Sequence, residues 1–459
     1  MASYYCYRYG CPRGALNTRL LQRKKQCQLR KEARDGHRTA CASQNASYDA
    51  IVVGGGPAGL ATALALQKTG WERVKVLERQ EVGAGGGTAL GLWTNAWKAL
   101  DALGVGDDVR SNVPRVGKVQ VCREDSDRVL TSFDLSRCDG GPHEFRGVLR
   151  DHLVSCLTSH LLPDTIQYDT RVISCNVTSH QGSTVTVETD DASTLTADLV
   201  IGADGVKSAV AVSYGRMTGR DVSINYVGQT AIRGVATYDT LPCDCIRQVL
   251  GSGVRAGVYP VSENKLYWYV CFVDNENKSS SMQGEEILQE ARMVLETSSQ
   301  TWMSSIVWNA ISRTPTDRVS RSRLGDRWDI FDAFSSNAAR VPIALAGDAL
   351  HPMTPNLGQG GCTALEDAVI LASCLCATGA HQKPSGRERS RCISESIGEY
   401  TRQRATRVTP LVIRSNLMGR ALQTGFPPIV FARDTFISNA FNPSHFLDHA
   451  TFDCGELGR

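Results

Sequence analysis

None of the 16 cysteines in this 459-residue chain is spaced as CxxC, so neither a zinc ribbon nor a thioredoxin-type redox centre is written in the sequence. Four of them, Cys6, Cys11, Cys27 and Cys41, fall in the first 47 residues, and the rest are scattered. Reduced thiols behaving as small hydrophobes are therefore expected. His445 and His449 are four apart, but no HExxH accompanies them, and no metal site is expected. The 42 glycines follow no three-residue period, which excludes a collagen-like chain. There is no internal repeat. Long hydrophobic runs are lacking as well: the uncharged run from Ala368 to Ala380 covers 13 residues, against about 20 for a spanning helix. No integral membrane segment is expected.

A strong charge of one sign is also missing, since the net charge is only +3. It is unevenly placed. Residues 1–47 hold ten Lys/Arg against Glu32 and Asp35, which leaves residues 48–459 at −5. A mildly acidic body with no basic stripe argues against nucleic acid. The leader is basic and poor in acids, without the apolar run of a secretory signal. It is expected to be an organellar transit segment, the alternative being a disordered cytosolic tail. With 42% hydrophobic and 21% charged residues, the remainder can bury a sizeable core.

The body opens at Tyr48 with YDAIVVGGGPAGLATALALQKTGWERVKVLER. Ala50–Val53 is a short apolar run of the kind that forms a fully buried parallel strand. Gly54, Gly56 and Gly59 follow as GxGxxG. Leu60, Ala63, Leu64 and Gln67 then mark a helix, and Val74–Leu77 is a second strand closed by Glu78. Glycine patterns of six residues arise by chance, but here one follows a strand, opens a helix and precedes an acid 24 residues beyond Gly54. That context defines the dinucleotide-binding fingerprint. Gly54 permits the tight turn, Gly56 admits a pyrophosphate to the backbone, and Gly59 lets helix and strand pack closely. The helix N-terminus favours the anion, and Glu78 can accept hydrogen bonds from an adenosine ribose.

FAD and NAD share this fingerprint, so the choice rests on two later segments. Asp198–Val210 reads DLVIGADGVKSAV, a strand ending in Asp204–Gly205. Val341–Ala372 reads VPIALAGDALHPMTPNLGQGGCTALEDAVILA, a strand ending in Gly347–Asp348, then a loop, then a helix. Asp348 at a strand end suits a polyol. A long cofactor touched at its diphosphate by Gly56 and at its ribityl chain by Asp348 would lay its ring over Gly358–Cys362. Backbone N–H groups and a positive dipole end there would stabilise negative charge on a reduced flavin. Between these segments, Tyr226–Gly234, Val254–Val261 and Lys265–Val273 are expected strands, and Glu285–Thr297 an expected helix. Tyr259, Tyr267, Trp268 and Tyr269 divide between a pocket and the core in a way the alternation does not sort. Thr363–Thr378 is expected to be helical, and His381–Arg391 an exposed loop.

Together these segments resemble the single-component FAD-dependent monooxygenases, the class A flavoprotein hydroxylases typified by p-hydroxybenzoate hydroxylase. GDALHPMTPNLGQGGCTALEDAVILA and GTALGLWTNAWKALDALGV (Gly87–Val105) are similar to the plant zeaxanthin epoxidase and monooxygenase-1-type branch. The likeness covers residues from about 48 to 415. It implies an α/β fold: a Rossmann-like FAD-binding domain, a mixed or antiparallel β-sheet substrate domain, and a C-terminal helical segment. The implied division is a leader at 1–47, FAD-binding parts at 48–215 and 335–380, a substrate domain at 216–334, and a loop with helices at 381–459.

The resemblance also implies residue roles. Gly54, Gly56, Ala58 and Gly59 would bind the FAD diphosphate, and Glu78 with Arg79 the adenosine ribose. Arg150 would reach the ribityl or phosphate part, and Val172 would lie near the adenine. Asp204 and Gly205 form a motif serving both FAD and the pyridine nucleotide. Asp348 would bind the ribityl chain, with Gly358, Gln359, Gly360, Gly361 and Cys362 under the isoalloxazine. His351 and Pro352 would lie beside the ring as the catalytic candidates. One departure is Ala211, where many members carry Arg, which puts the NADPH contact in question. The implied reaction uses NADPH or NADH, O2 and a flavin hydroperoxide to insert one oxygen atom into an apolar aromatic or isoprenoid-type small molecule. The alternatives are an FAD-dependent reductase or dehydrogenase of the same fold, and a non-enzymatic FAD-stabilised binding protein. The leader together with the plant resemblance implies a chloroplast or plastid, the alternative being cytoplasmic.

Overall fold

The computed structural model describes residues 47–82, 88–124, 128–179, 183–274, 282–328 and 341–458. The basic leader lies outside the described residues. Sixteen described strands make three sheets, and the first is built on consecutive buried aliphatics: Ala50, Ile51, Val52 and Val53 are all at most 4% exposed. Its order is β7 (Ile166–Gln167), β2 (Val74–Leu77), β1 (Ser47–Val53), β10 (Thr194–Gly202), β9 (Ser183–Thr189), β8 (Val172–Ser179), with β16 (Ile343–Leu345) on the far half of β10. The first four strands and β16 run parallel, whereas β9 pairs antiparallel with both β10 and β8. Apolar residues on both faces are what such a covered parallel sheet requires.

The second sheet has the order β15 (Val319–Asp326), β11 (Asn225–Thr237), β14 (Lys265–Val273), β13 (Val254–Pro260), β12 (Ile246–Leu250), β4 (Lys118–Arg123), β5 (Val129–Asp134). Every pairing is antiparallel except β12 with β4. A two-stranded ribbon, β3 (Ala89–Trp93) with β6 (Phe145–Leu149), completes the set. The longer helices are α1 (Pro57–Lys68), α2 (Thr94–Ala102), α3 (Arg150–Ser159), α4 (Ala209–Thr218), α5 (Glu285–Ser298), α6 (Ile306–Ser312), α7 (Gly360–Ala377), α8 (Arg387–Leu422) and α9 (Pro427–Asn439). Residues from α5 and α6 fill one face of the second sheet with Trp268, Val270 and Ile232.

The expected α/β architecture is present, with three differences of detail. β4 and β5 come from within 48–215 yet pair into the second sheet, so the chain crosses between the sheets earlier than the expected boundary. The strand expected at Val341–Gly347 is only Ile343–Leu345, because Gly347 takes φ +58° and turns the chain. The expected loop His381–Arg391 is cut short: α8 starts at Arg387 and runs 36 residues with Pro410 inside it. Its charged first turns hid it, since i,i+4 charge pairing rather than an apolar face marks that stretch. Helix α7 has the length and hydropathy of a membrane span, 18 residues at a mean hydropathy of 1.4, but 72% of it is buried inside the fold. It packs on α1, α2 and α8 and is a core helix.

Candidate active site

Register brings the separated motifs together. Val53 pairs with Leu77 and with Gly202, and Gly202 pairs with Leu345. The carboxyl ends of β1, β2, β10 and β16 therefore lie in one row. Gly54, Glu78, Asp204 and Asp348, each one to three residues beyond its strand, emerge along a single crevice, the place where such sheets bind ligands.

The glycines of the first turn each have a geometric reason. Gly54 sits at φ +110°, and a Cβ on it would strike the Ala203 carbonyl. A Cβ on Gly59 would run into the Gly54 carbonyl oxygen. At Gly56 the only neighbour is Arg150 Nη2, 3.4 Å from where a Cβ would stand. Thus Gly54 and Gly59 are needed by the fold itself, whereas Gly56 leaves a gap facing a guanidinium. Helix α1 begins there with Pro57 in its first turn and no side-chain cap, so its first N–H groups are left for an anion. Glu78 is held by Gly55 N–H, which donates to Oε2 at 2.6 Å, and by Gln80 N–H at 2.8 Å. Arg79 is exposed beside it. Val172 is buried in the cluster that holds Val53 and Leu77, close to where Glu78 leaves the sheet. Arg150 heads α3, and its side chain lines the main cavity. These features fit an FAD: a diphosphate cradle that a Cβ at Gly56 would fill, with a cation opposite it.

Asp204 is placed at the crevice but is occupied. Its carboxylate accepts from Ser208 Oγ and from the Ala209 N–H at 2.7 Å, ahead of α4. Burial raises its pKa, partly offset by these hydrogen bonds. Gly205 follows at φ +79° with open space where a Cβ would stand.

A cavity of about 1520 Å3 runs from this crevice beneath the second sheet. Asp348, Pro352, Met353, Gly358, Gly360 and Gly361 line one wall, with Leu90 and Trp93 of β3 beside them. Asp348 faces the open cavity while protein surrounds it elsewhere. The loss of bulk water raises its pKa, with the charges of His351 and Arg233 pulling the other way. α7 starts at Gly360 without a side-chain cap, so its first N–H groups meet the cavity. Gln359 and Cys362 are fully buried instead. Gln359 pairs with Asn95 at 2.8 Å, and burial pushes the Cys362 thiol up to about 12.

The expectation that His351 lies beside the ring needs correction. Its side chain is buried and Nε2 lies 2.7 Å from Asp367 Oδ2, so the imidazole is held in α7 packing and does not line the cavity. Pro352 does. His351 belongs to a buried charge network. Arg404 of α8 donates Nε to Asp367 Oδ1 at 2.6 Å and Nη2 to Glu366 Oε2 at 2.8 Å. Glu366 also accepts from Asn95 at 2.6 Å and Arg407 at 3.1 Å, and Asp367 from Gly347 N–H at 2.7 Å. Burial alone would raise both acids. The charges of Arg404 and Arg407 outweigh it at Glu366, and those of His351 and Arg404 at Asp367, so both are held below the usual carboxylate range.

The opposite wall is the second sheet, and which of its faces meets the cavity sorts the aromatics. Tyr259, Tyr267 and Tyr269 face the cavity, while Trp268 points into the core and donates Nε1 to Thr314 at 2.7 Å. Tyr259 and Tyr267 stack at 4.6 Å. Burial raises all three phenols, Tyr269 to about 12, so they stay neutral donors. Two cations were missed in the sequence. Arg233 on β11 donates to Ser322 at 2.6 Å. Arg255 on β13 is 2% exposed, donates to Asn356 Oδ1 and lies 5.6 Å from the Tyr269 ring. Neither is in an ion pair among the described residues, so the mostly apolar lining carries two cations that the sequence reading did not expect. The signal was available, since an arginine inside an otherwise apolar strand is rarely buried without a partner.

The chain matches the FAD binding domain family over residues 47–387. It is 30% identical over 432 residues to Monooxygenase 2 of Arabidopsis thaliana, covering 90% of this chain and 99% of that one. It is 29% identical to an FAD-dependent urate hydroxylase of Klebsiella pneumoniae, over 80% of this chain and 88% of that one. A chloroplastic zeaxanthin epoxidase of Spinacia oleracea is 28% identical over 78% of this chain and 52% of its own length. The crystal structure of Klebsiella pneumoniae HpxO complexed with FAD and uric acid superposes with a TM-score of 0.72 at 24% identity, covering 88% and 96% of the two chains. The fold and the site thus define a flavoprotein oxidoreductase, and the chain belongs to the FAD-dependent monooxygenase family. Within that family it falls in the plant branch.

Proposed function

We propose that this enzyme uses NADPH or NADH and O2 to insert one oxygen atom into a small aromatic molecule that carries a negative charge. The observation that carries the reading is the pair Arg233 and Arg255, which share a cavity with Asp348 and the start of α7 and lack an ion-pair partner among the described residues. Arg255 is the desolvated member at 2% exposed; a buried cation without an ion-pair partner is costly, and an anionic ligand relieves that cost. Uric acid in the HpxO complex is a small-ring ligand of comparable size.

Gly54, Gly56, Ala58 and Gly59 would hold the FAD diphosphate with Arg150. Glu78 and Arg79 would serve the ribose, Val172 the adenine end, and Asp348 the ribityl chain. Gly358, Gly360 and Gly361 would receive the ring, with Gln359 and Cys362 fixing their backbone. Asp204 positions Gly205 rather than touching the nucleotide. When bound, FAD supplies the redox chemistry by which a reduced flavin and O2 oxygenate a substrate. The chain's part is to orient the substrate through Arg233 and Arg255 and to exclude water with the Tyr259–Tyr267–Tyr269 face. His351 positions the Pro352 loop through Asp367.

The test is turnover of hydroxybenzoates by the FAD-loaded chain with NADPH under 18O2. One 18O per product, with one NADPH consumed, is the expected result. A converted acid without 18O makes the enzyme a hydride-transferring reductase. We also propose a plastid location, supported by the basic leader and the likeness to a chloroplastic relative. Diffuse cytoplasmic fluorescence from a C-terminal fusion would overturn it.

A further inference from the structure

The cavity is longer than the site just described needs. Its sheet wall runs from Arg233 on β11 across β14, β13, β12 and β4 to Thr131 and Phe133 on β5. Five strand steps at about 4.8 Å span roughly 24 Å, several times the length of one aromatic ring.

The two ends differ in chemistry. The end nearest Asp348 carries Arg233 and Arg255 with no carboxylate paired to either. At the other end the cations are already neutralised. Arg433 donates to Asp434 at 2.8 Å and to the Leu422 carbonyl at 2.8 Å. Arg414 pairs with Asp448 at 2.6 Å. What remains open there is apolar: Leu417 of α8 and Ile429 and Phe436 of α9 line the cavity while 58%, 49% and 56% exposed. Val121 of β4 and Phe133 of β5 face them across the space. Helix α9 contains only two charged residues, Arg433 and Asp434, both buried.

Resting on the anionic-aromatic reading above, we propose that the far end is a second subsite for an aliphatic tail, and that the natural substrate is an amphiphile: an anionic aromatic head at Arg233 and Arg255 with a hydrocarbon chain running between the β4–β5 edge and α9. The tail is the occupant because this end is continuous with the head chamber. A single ligand can reach both, and large apolar side chains left in contact with water gain most from a hydrocarbon.

The experiment uses the FAD-loaded full chain and a series of 4-alkoxybenzoates from methoxy to decyloxy, with Kd read from the change in the flavin absorbance spectrum. Kd is expected to fall roughly two- to fourfold per added methylene over the first several carbons. That dependence should flatten in the double variant Ile429→Glu, Phe436→Glu, whose two positions are exposed. FAD content and Tm of the variant establish that it is folded. If methoxybenzoate binds and Kd is indifferent to chain length, or if the variant keeps the full dependence, the tail subsite is overturned and the head reading stands. No spectral change at any length overturns the head reading and takes the tail subsite with it. Failure of the chain to retain FAD is a separate result, visible before any probe is added.

Discussion

Along the carboxyl edge of the first sheet, what meets the cavity is mostly main chain: Gly54 at φ +110°, the gap at Gly56, the uncapped starts of α1 and α7. Across the second sheet it is side chains, Arg233, Arg255 and three tyrosines, up to 36 residues apart in the chain. Backbone recognition depends on φ and close approach, which only glycine permits at certain positions. Side-chain recognition depends on which strand lies beside which. The first region can therefore serve one cofactor with little freedom to vary, while the second can change its ligand by exchanging a few cavity-facing residues and keeping the sheet.

The comparison breaks most severely behind the first region, where one arginine holds the helix and loop that line the cavity. Arg404 on α8 grips Asp367 and Glu366, and Asp367 in turn holds Gly347 and His351 behind the cavity loop. Arg404→Met leaves two buried carboxylates and is expected to cost about 3–5 kcal/mol. Chemical denaturation of the holoprotein, with the exposed Arg402→Met as control, measures it. Equal losses in the two variants would show that the network contributes nothing beyond a surface pair.

The next effect separates the glycines from one another. Gly56→Leu meets only the end of the Arg150 side chain, so the apoprotein should fold with its Tm nearly intact, while FAD affinity drops roughly 100-fold or more because the diphosphate approach is filled. Gly59→Leu, by contrast, drives a side chain into the Gly54 carbonyl and should not yield folded protein. A Gly56→Leu protein that purifies fully yellow would remove the cradle from this site. On the side-chain half, Arg255→Met should retain FAD yet weaken benzoate binding about 10- to 100-fold, the range for a hydrogen-bonded charge. Equal affinity would return the substrate to the apolar class.

These contrasts explain what could be read from the residues alone. The fingerprint glycines, Glu78 and Asp348 were legible because each sits at a fixed offset from an apolar strand, and parallel pairing aligns the strand ends. His351 was misplaced because its partner Asp367 lies 16 residues on, in a helix whose buried packing against the loop is not visible from local sequence. Arg233 and Arg255 are local oddities whose meaning appears only when β11, β14 and β13 pair. The C-terminal contribution to the cavity, Leu417 and Phe436, was invisible for a similar reason. Nothing near those residues in the chain says which sheet edge α9 will cover.

The smallest expected effect concerns where the C-terminal segment closes on the cofactor half. His449 is 3% exposed, packed edge-on to Trp93 at 6.3 Å and to Phe446 at 5.3 Å. Burial, aided by the charges of Arg414 and Arg407 and opposed by Asp448, lowers its pKa to about 4. A depressed histidine binds fewer protons folded than unfolded, so its contribution is complete above the unfolded value of about 6.5 and is lost as the pH falls toward 4. Between pH 7 and 5.5 this amounts to about 1 kcal/mol. His449→Leu should flatten the fall in stability over that window, leaving the steeper acid loss from Glu366 and Asp367 in place, since those lowered carboxylates protonate at lower pH. If the variant and the parent lose stability in parallel from pH 7 to 5.5, the imidazole is not what makes this junction pH-sensitive, and the closure between the two halves rests on packing alone.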